Sequence, residues 1–376
     1  MKSIDVAQVL KNVCSYRKDK IRACNLNSNI YISTENMKSN RTGVEPASSV
    51  PHAGRVAAYE PGDILISNIR PYFKKIWKAK QRGGCSNDVL VFKAGENVDN
   101  DFLYYVLSDD AFFDFMMMSS KGTKMPRGDK DVIMTYPVPR FSIEKQRKIA
   151  SILSALDDKI ETNNAICRNL EELLLAVYRN VKYVNECVVK ELHDLAEFSK
   201  NKKQISELNC QSYFSTENML PGKAGAVAAE SLPTMPKATA CNPGDILVSN
   251  IRPYFKKIVY CSTNCGCSSD VLCFHPKEDI YSTWLFCSLY EDDFFDYVAA
   301  GSKGTKMPRG DKAHIMRYGI DVPPRKKLEE FKSMGNLVLT QINNLRSENK
   351  HLSQLRDSIL PKLMNGELDV DNVKLK

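Results

Sequence analysis

At 376 residues the chain exceeds what one hydrophobic core ordinarily supports, because single cores stop growing at roughly 250–300 residues; two or three compact pieces are expected. With 43% hydrophobic and 26% charged residues, the composition excludes global disorder. The net charge of +8 favours polyanionic partners, no stretch reaches the roughly 18 apolar residues of a membrane span, and the N-terminal MKSIDVAQVLKNV lacks a leader pattern, so a cytoplasmic protein is expected.

Three blocks recur along the chain. Residues 31–37 read YISTENM and 213–219 YFSTENM; residues 62–75 read GDILISNIRPYFKK and 244–257 GDILVSNIRPYFKK; residues 120–130 and 302–312 both read SKGTKMPRGDK. First copies begin at 31, 62 and 120 and second copies at 213, 244 and 302, so one offset of 182 residues relates all three. The same offset carries CSNDVL (85–90) onto CSSDVL (267–272) and DAFFD (110–114) onto DDFFD (292–296). A repeat this long is a duplicated domain with its appendage. Between the blocks, residues 38–59 and 220–241 differ at nearly every position.

In chain order, residues 63–66 and 89–92 are β-branched apolar runs bounded by Gly, Pro, Asn and Ser, which predicts strands, with a turn at Pro61-Gly62. Phe102, Leu103, Val106, Leu107, Phe112 and Phe115 stand at mostly helical spacing, which predicts one helix over residues 101–115 packed on the sheet. Pro137 and Pro139 end a strand and leave a clean helix start. Beyond them Ile149, Leu153, Leu156, Ile160, Asn163, Cys167, Leu170, Leu174 and Val177 recur at alternating steps of four and three, a heptad seam.

The offset maps this seam onto Phe331, Gly335, Val338, Ile342, Leu345, Asn349, Leu352, Arg356 and Ile359. Gly335 and Arg356 fall off the pattern, and Met334 and Leu355 are expected to compensate one step round the helix. So narrow a stripe needs a partner. Two helices of about 36 residues, each spanning about 54 Å, are expected to pair antiparallel about a two-fold axis; the alternative lays each helix on its own domain. Seam contacts are expected from Leu153, Leu156, Ile160, Leu170 and Leu174 with Val338, Ile342, Leu345, Leu352 and Ile359. The expected fold is α+β, with mixed α/β domains at 1–140 and 183–322, long helices at 141–182 and 323–361, and a tail at 362–376.

The block that follows the first strand mixes Ser67, Asn68, Arg70, Tyr72, Lys74 and Lys75, side chains that bond phosphates and, for Arg and Asn, purine edges. In residues 120–130, Lys121, Lys124, Arg127 and Lys130 are interleaved with Gly122, Thr123 and Gly128, whose backbone amides can approach an anion. The second copies are Ser249, Asn250, Arg252, Tyr254, Lys256 and Lys257 with Lys303, Thr305, Lys306, Arg309 and Lys312. Solvated turns kept alike by recent duplication are the bland alternative, but an aromatic among seven cations argues for DNA contact. Thr34, Glu35 and Asn36, with Thr216, Glu217 and Asn218, fit either base reading or a helix N-cap.

Catalytic patterns are missing from the sequence. There is no GK followed by Ser or Thr for a Walker A loop and no glycine fingerprint after a strand. The five histidines occupy unmatched positions in the repeat, which disfavours a duplicated acid–base or metal site. Asp63, Asp88 and Lys93 suggest a nuclease-like cluster, yet His275 replaces Lys93 in the second copy. Twelve cysteines in a long chain read as reduced thiols. Of the tightest group, Cys261, Cys265, Cys267 and Cys273, only Cys267 has a counterpart, Cys85, so thiols are preferred over zinc and no metal is expected.

A domain with GDILISNIRPYFKK and SKGTKMPRGDK, a proline-rich exit at 136–140 and then EKQRKIASILSALDDKIETNNAICRNLEELLLAVY, repeated once and closing on LPKLMNGELDV, resembles the specificity subunit of type I restriction-modification systems. The resemblance covers about residues 5–370. It implies two target-recognition domains, each reading one half of a bipartite site in double-stranded DNA, with the antiparallel helices fixing the distance between halves. It further implies assembly with two modification subunits, which bind S-adenosylmethionine and methylate adenine, and with restriction subunits that use ATP and Mg. No catalytic residue and no cofactor is then expected in this chain; a stand-alone nuclease is the disfavoured alternative.

Overall fold

In the computed structural model, which describes residues 8–120, 122, 124–184 and 186–371, the run ILIS becomes the strand Ile64–Ser67, buried along its whole length. It is continuous in apolar character because both faces are covered. Ile64 and Ile66 join a cluster with Phe92, Phe102, Leu103, Phe112 and Phe113, whereas Leu65 joins a smaller one with Ile32, Met37, Tyr59, Cys85 and Val91. The strand lies inside an antiparallel sheet ordered Cys14–Tyr16, Val89–Ala94, Ile64–Ser67, Ile76–Lys78. A second sheet is ordered Lys20–Arg22, Arg55–Tyr59, Gly83–Cys85, Tyr31–Ile32, its last pair parallel.

The other half of the chain builds the same pair of sheets. Ala196–Phe198, Val271–Pro276, Ile246–Ser249 and Ile258–Tyr260 form one, and Lys202–Gln204, Lys237–Cys241, Cys265–Cys267 and Tyr213–Phe214 the other. Register follows the repeat, with Ile64 opposite Phe92 and Ile246 opposite Phe274.

The single helix expected over 101–115 is two, Asn100–Ser108 and Asp110–Met118. Asp109 breaks it, because its ψ of 143° is extended and its carboxylate accepts the amide of Ala111, which caps the second helix. Glu291, with ψ 151°, separates Ser282–Tyr290 from Asp292–Ala300 by the same extended backbone, though its side chain does not cap the second helix.

The long helices run over Ile143–Val184 and Arg325–Met364, 42 and 40 residues, longer than the roughly 36 expected from the heptad reading. Compact units divide the chain inside these helices rather than at the expected helix starts: one comprises Met1–Glu161 with Asn349–Lys376, the other Thr162–Glu348. In the first unit Ile149, Ala150 and Leu153 share a core with Leu360, Leu363 and Val370 and with Phe102 and Phe112. In the second, Cys167, Leu174 and Tyr178 share a core with Phe331, Val338, Ile342 and Leu345 and with Trp284. Within that unit Asn163 meets Glu348 and the Cys167 thiol donates to the carbonyl of Ile342, so the segments run antiparallel. Helix pairing and helix-on-domain packing therefore hold together in each unit. Of the expected seam, Leu153, Leu174, Val338, Ile342 and Leu345 are buried, and Leu156, Ile160, Leu170, Leu352 and Ile359 half-buried.

Both irregular seam positions have local causes. A Cβ on Gly335 would stand 3.2 Å from Cβ of Thr283, so the glycine permits close approach to helix Ser282–Tyr290. Arg356 pairs with Asp157 at 2.6 Å, and the second oxygen of Asp157 accepts the hydroxyl of Tyr105 at 2.8 Å. Leu355 does not compensate as expected: Arg356 takes the inward position, and Leu355 is 48% exposed. Among the described residues no helix is long and apolar enough to cross a membrane.

Replacing Arg356 with Ala leaves Asp157 half-buried and without its cation. The expected loss is about 2 kcal/mol, below that of a fully buried pair because both groups keep some water contact. Replacing Asp157 with Leu and Arg356 with Met together, with Tyr105 changed to Phe so that its buried hydroxyl is not left without an acceptor, is expected to recover most of it, read as the melting temperature of the chain.

Candidate nucleic-acid interface

The strand Ile64–Ser67 runs into a loop whose backbone is held in a sparsely populated conformation. Arg70 has φ 50° and ψ 64° and stands before Pro71; the short turn Pro71–Phe73 follows, and Lys74 again has φ 50°. Left-handed backbone at a non-glycine residue costs of order 1–3 kcal/mol and persists only where neighbours fix it. Here they do, from two sides.

On one side the Arg70 amide donates to Pro126 O at 2.8 Å, Ile69 bridges to Arg127, and Asn68 exchanges bonds with the backbone of Gly128. A Cβ on Gly128 would lie 2.9 Å from both Asn68 Oδ1 and Ile133 Cδ1, so glycine is required for the loops to touch. On the other side the amides of Asn40 and Arg41 donate to the carbonyls of Phe73 and Lys74 at 2.8 and 3.0 Å. The candidate blocks 67–75 and 120–130 thus meet, and a third segment, 38–45, lies against the free edge of the first.

Every part recurs in the second unit. Arg252 has φ 50° and Lys256 φ 51°, the Arg252 amide donates to Pro308 O, and Gly310 packs on Asn250. The amides of Gly222 and Lys223 donate to the carbonyls of Phe255 and Lys256, both at 2.8 Å. This clamp turns Tyr72 and Tyr254 outward, 48% and 53% exposed, each resting on the ring of the next residue at 4.7 and 4.8 Å.

The candidate cations divide into two groups. Lys124, Arg127 and Lys130 are exposed, as are Lys303, Thr305, Lys306, Arg309 and Lys312, while Lys121 and Thr123 lie outside the described residues. Arg127 pairs with Asp88 and Arg309 with Asp270, each at 3.0 Å and each with more than half the Arg side chain in solvent. Lys303 pairs with Asp311 at 2.6 Å. Arg70 and Arg252 are half-buried, and among the described residues their Nε atoms have no hydrogen-bond partner.

Four lysines serve the fold. Lys74 binds Asp110 and Lys256 binds Asp292, both at 2.8 Å. Lys223 and Lys256 together hold the Asp292 carboxyl down at about 2. Lys75 donates to Thr34 O at 2.6 Å and Lys257 to Thr216 O at 2.5 Å, and burial lowers both ammonium pKa values. Ser67 and Ser249 are also buried and donate to the carbonyls of Ile69 and Ile251.

Neither reading of Asn36 holds. Its side chain accepts from Ser33 N and donates to Tyr31 O and Glu45 O, so it is saturated by the backbone of a turn; it starts no helix and has no amide left for a base. Asn218 repeats all three bonds. Asp63 is likewise structural, buried with its carboxylate accepting Glu60 N at 2.7 Å and pairing with Arg17. Among the described residues no three His, Cys, Asp or Glu side chains are placed to hold a metal.

Sequence reasoning marked the third segment only as part of the divergent stretches 38–59 and 220–241, which were one of two candidates for reading bases, and did not foresee its contact with the first block. Its signal was present in Gly43 and Gly225, and in Arg41 and Lys223, the matched glycine and matched cation within otherwise divergent stretches. Arg41 binds Asp110 and Lys223 binds Asp292, which pins the turn to a helix start in both units.

Residues 9–172 match the family described as the type I restriction modification DNA specificity domain. The chain is 23% identical over 335 residues to the type I restriction enzyme MjaIX specificity subunit of Methanocaldococcus jannaschii, covering 74% of this chain and 71% of that protein. It is 26% identical over 132 residues to the type I restriction enzyme EcoDI specificity subunit of Escherichia coli, 33% of this chain and 29% of that one. Its fold is similar to the crystal structure of a type I restriction-modification system S subunit from M. genitalium, with TM-score 0.61 and 13% identity over 97% of each chain.

Changing Lys75 to Met removes a partly buried charged hydrogen bond and is expected to destabilise the chain by about 1–2 kcal/mol. The same change at Lys257 should add to it independently, because the two sites lie in separate units; thermal melts of the single and double variants measure this.

Proposed function

We propose that the chain is a specificity subunit of a type I restriction-modification system, as the family match over residues 9–172 and the similarity to curated specificity subunits support, and that its two units each grip one half of a bipartite site in double-stranded DNA. One observation carries this reading: the same edge of three loops, with the same left-handed Arg before Pro and the same exposed Tyr, is built twice from one sequence block. Exposed Lys124, Arg127 and Lys130 suit phosphates, and their matches Lys306, Arg309 and Lys312 do the same in the second unit. Arg70 and Arg252, half-buried with a buried Nε that has no partner among the described residues, stand two residues before the exposed Tyr of each edge.

The long helices then serve as the ruler between half-sites and as the seat of two modification subunits, which bring S-adenosylmethionine and methylate adenine. Restriction subunits bring ATP, Mg and cleavage. The chain itself contributes recognition and no chemistry; burial of Asp63 in its turn argues against the nuclease reading.

With modification subunits added, the full chain is expected to bind duplex DNA with an affinity that falls steeply as salt rises, and to direct methylation to one bipartite motif. Replacing Arg70 and Arg252 with Ala is expected to weaken binding by about tenfold or more and to lower the salt slope by about two. Salt-independent binding, or methylation scattered over unrelated sequences, would sink the reading.

A further inference from the structure

The three loops on each edge carry different kinds of information. The central loop and the 122–130 loop have the same residues in both units, so whatever they contact at one half-site they contact at the other. DNA phosphates are alike at both halves, and these loops suit them. The turn at 38–45 is different: its backbone is shared and its surface is not.

The scaffold of the turn is the same in both copies. Met37 and Met219 are buried beneath it, Lys38 N donates to Gly43 O as Leu220 N does to Gly225 O, and Asn36 and Asn218 brace it from below. The pinned cation, Arg41 or Lys223, adopts φ 61° or 63°. Outward positions change chemistry completely. Lys38, Asn40, Thr42 and Glu45 are exposed in the first unit, and their places are taken by Leu220, Gly222, Ala224 and Val227, of which Val227 is 53% exposed. The rest of the divergent stretch points elsewhere in the fold, since Ala47 N bonds Ser28 O and Gly54 O accepts from Ala23 N, at the far strand of the outer sheet.

We propose that residues 38–45 and 220–227 are the base-reading turns of the two units, held against a common phosphate grip. This deepens the half-site reading above and rests on it. The first turn reads by hydrogen bonds: Asn40 suits adenine N6 and N7, Lys38 guanine O6 and N7, and Glu45 the amino group of cytosine. In the second turn Leu220, Ala224 and Val227 have no polar side-chain atom, and their chemistry fits thymine methyl groups. The half-sites therefore differ, and the target is no interrupted palindrome.

The test is an exchange of turns in the full chain assembled with its modification subunits, read by sequencing the duplexes each complex enriches from a randomised pool. Lys38→Leu, Asn40→Gly, Thr42→Ala and Glu45→Val together are expected to convert one half-site toward the other while the second half and the spacing stay. Affinity for the original site should fall about tenfold or more, with the salt slope changed by no more than about one. The reciprocal exchange, Leu220→Lys, Gly222→Asn, Ala224→Thr and Val227→Glu, protects the test against a misfolded first variant, since Asn40 already occupies the left-handed position that Gly222 holds. If the unmodified complex enriches a bipartite site and both exchanged chains enrich that same site, or if its two halves are alike, the assignment of the turns falls alone. If the unmodified complex enriches no site, the half-site reading falls and takes this one with it.

Discussion

The backbone of Arg70, left-handed before a proline, is the constraint on which the recognition edge depends. An unsupported chain would relax it, because the residue before proline prefers extended backbone. It stays because carbonyls and amides on both flanks are already committed: Pro126 O takes its amide, and the carbonyls of Phe73 and Lys74, just beyond it, take the amides of Asn40 and Arg41. Gly128 matters for the same reason, since any side chain there would push Asn68 out of the contact. The strain is thus distributed over hydrogen bonds that independently tie three loops together, and the outward turn of Tyr72 is its consequence.

Neither mixed domain closes its core without the long helices. Phe102, Phe112 and Leu103 pack with Ile149 and Leu153 of one helix and Leu360 and Leu363 of the other, so a segment of each long helix, one mid-chain and one far along the sequence, is part of the first core. Trp284 stands in the equivalent place in the second unit, against Tyr178 at 4.5 Å and Phe331 at 5.2 Å. The seam is therefore read from two directions at once, by the partner helix and by the domain. This is why it accepts Gly335 and Arg356: each position answers to the domain, through Thr283 and through Tyr105 with Asp157, more than to the heptad.

That double duty also explains what could be seen in the sequence. Strands at 64–67 and 89–94 were legible because apolar runs between turn residues are local signals, and the helices were legible because heptad spacing survives over many turns. The break at Asp109 was not, since a single extended residue capping the next helix leaves the apolar spacing almost intact. For the candidate site, the repeat identified the right blocks but not the role of each side chain. Lys74 and Lys75 look like their neighbours Arg70 and Tyr72 in a string of letters, and only Asp110 and the carbonyl of Thr34, distant in sequence, turn them inward.

The two copies also show what the backbone network leaves free to vary. In the first unit the Tyr59 ring fills the small core beside Gly83, where a Cβ would come within 2.3 Å of its hydroxyl. In the second, Cys241 stands in place of the tyrosine and Cys265 in place of the glycine, with Cys261 and Cys273 where the first has Ala79 and Val91. One large ring beside small neighbours has been exchanged for several thiols of middle size, which keeps the volume filled and the strand pairing Tyr59–Gly83 and Cys241–Cys265 in register. Packing alone accounts for the position of each cysteine in this cluster. Core and turn surface have thus diverged on opposite sides of an unchanged set of backbone hydrogen bonds, and that separation lets the outward chemistry of one unit change without disturbing the grip that both share.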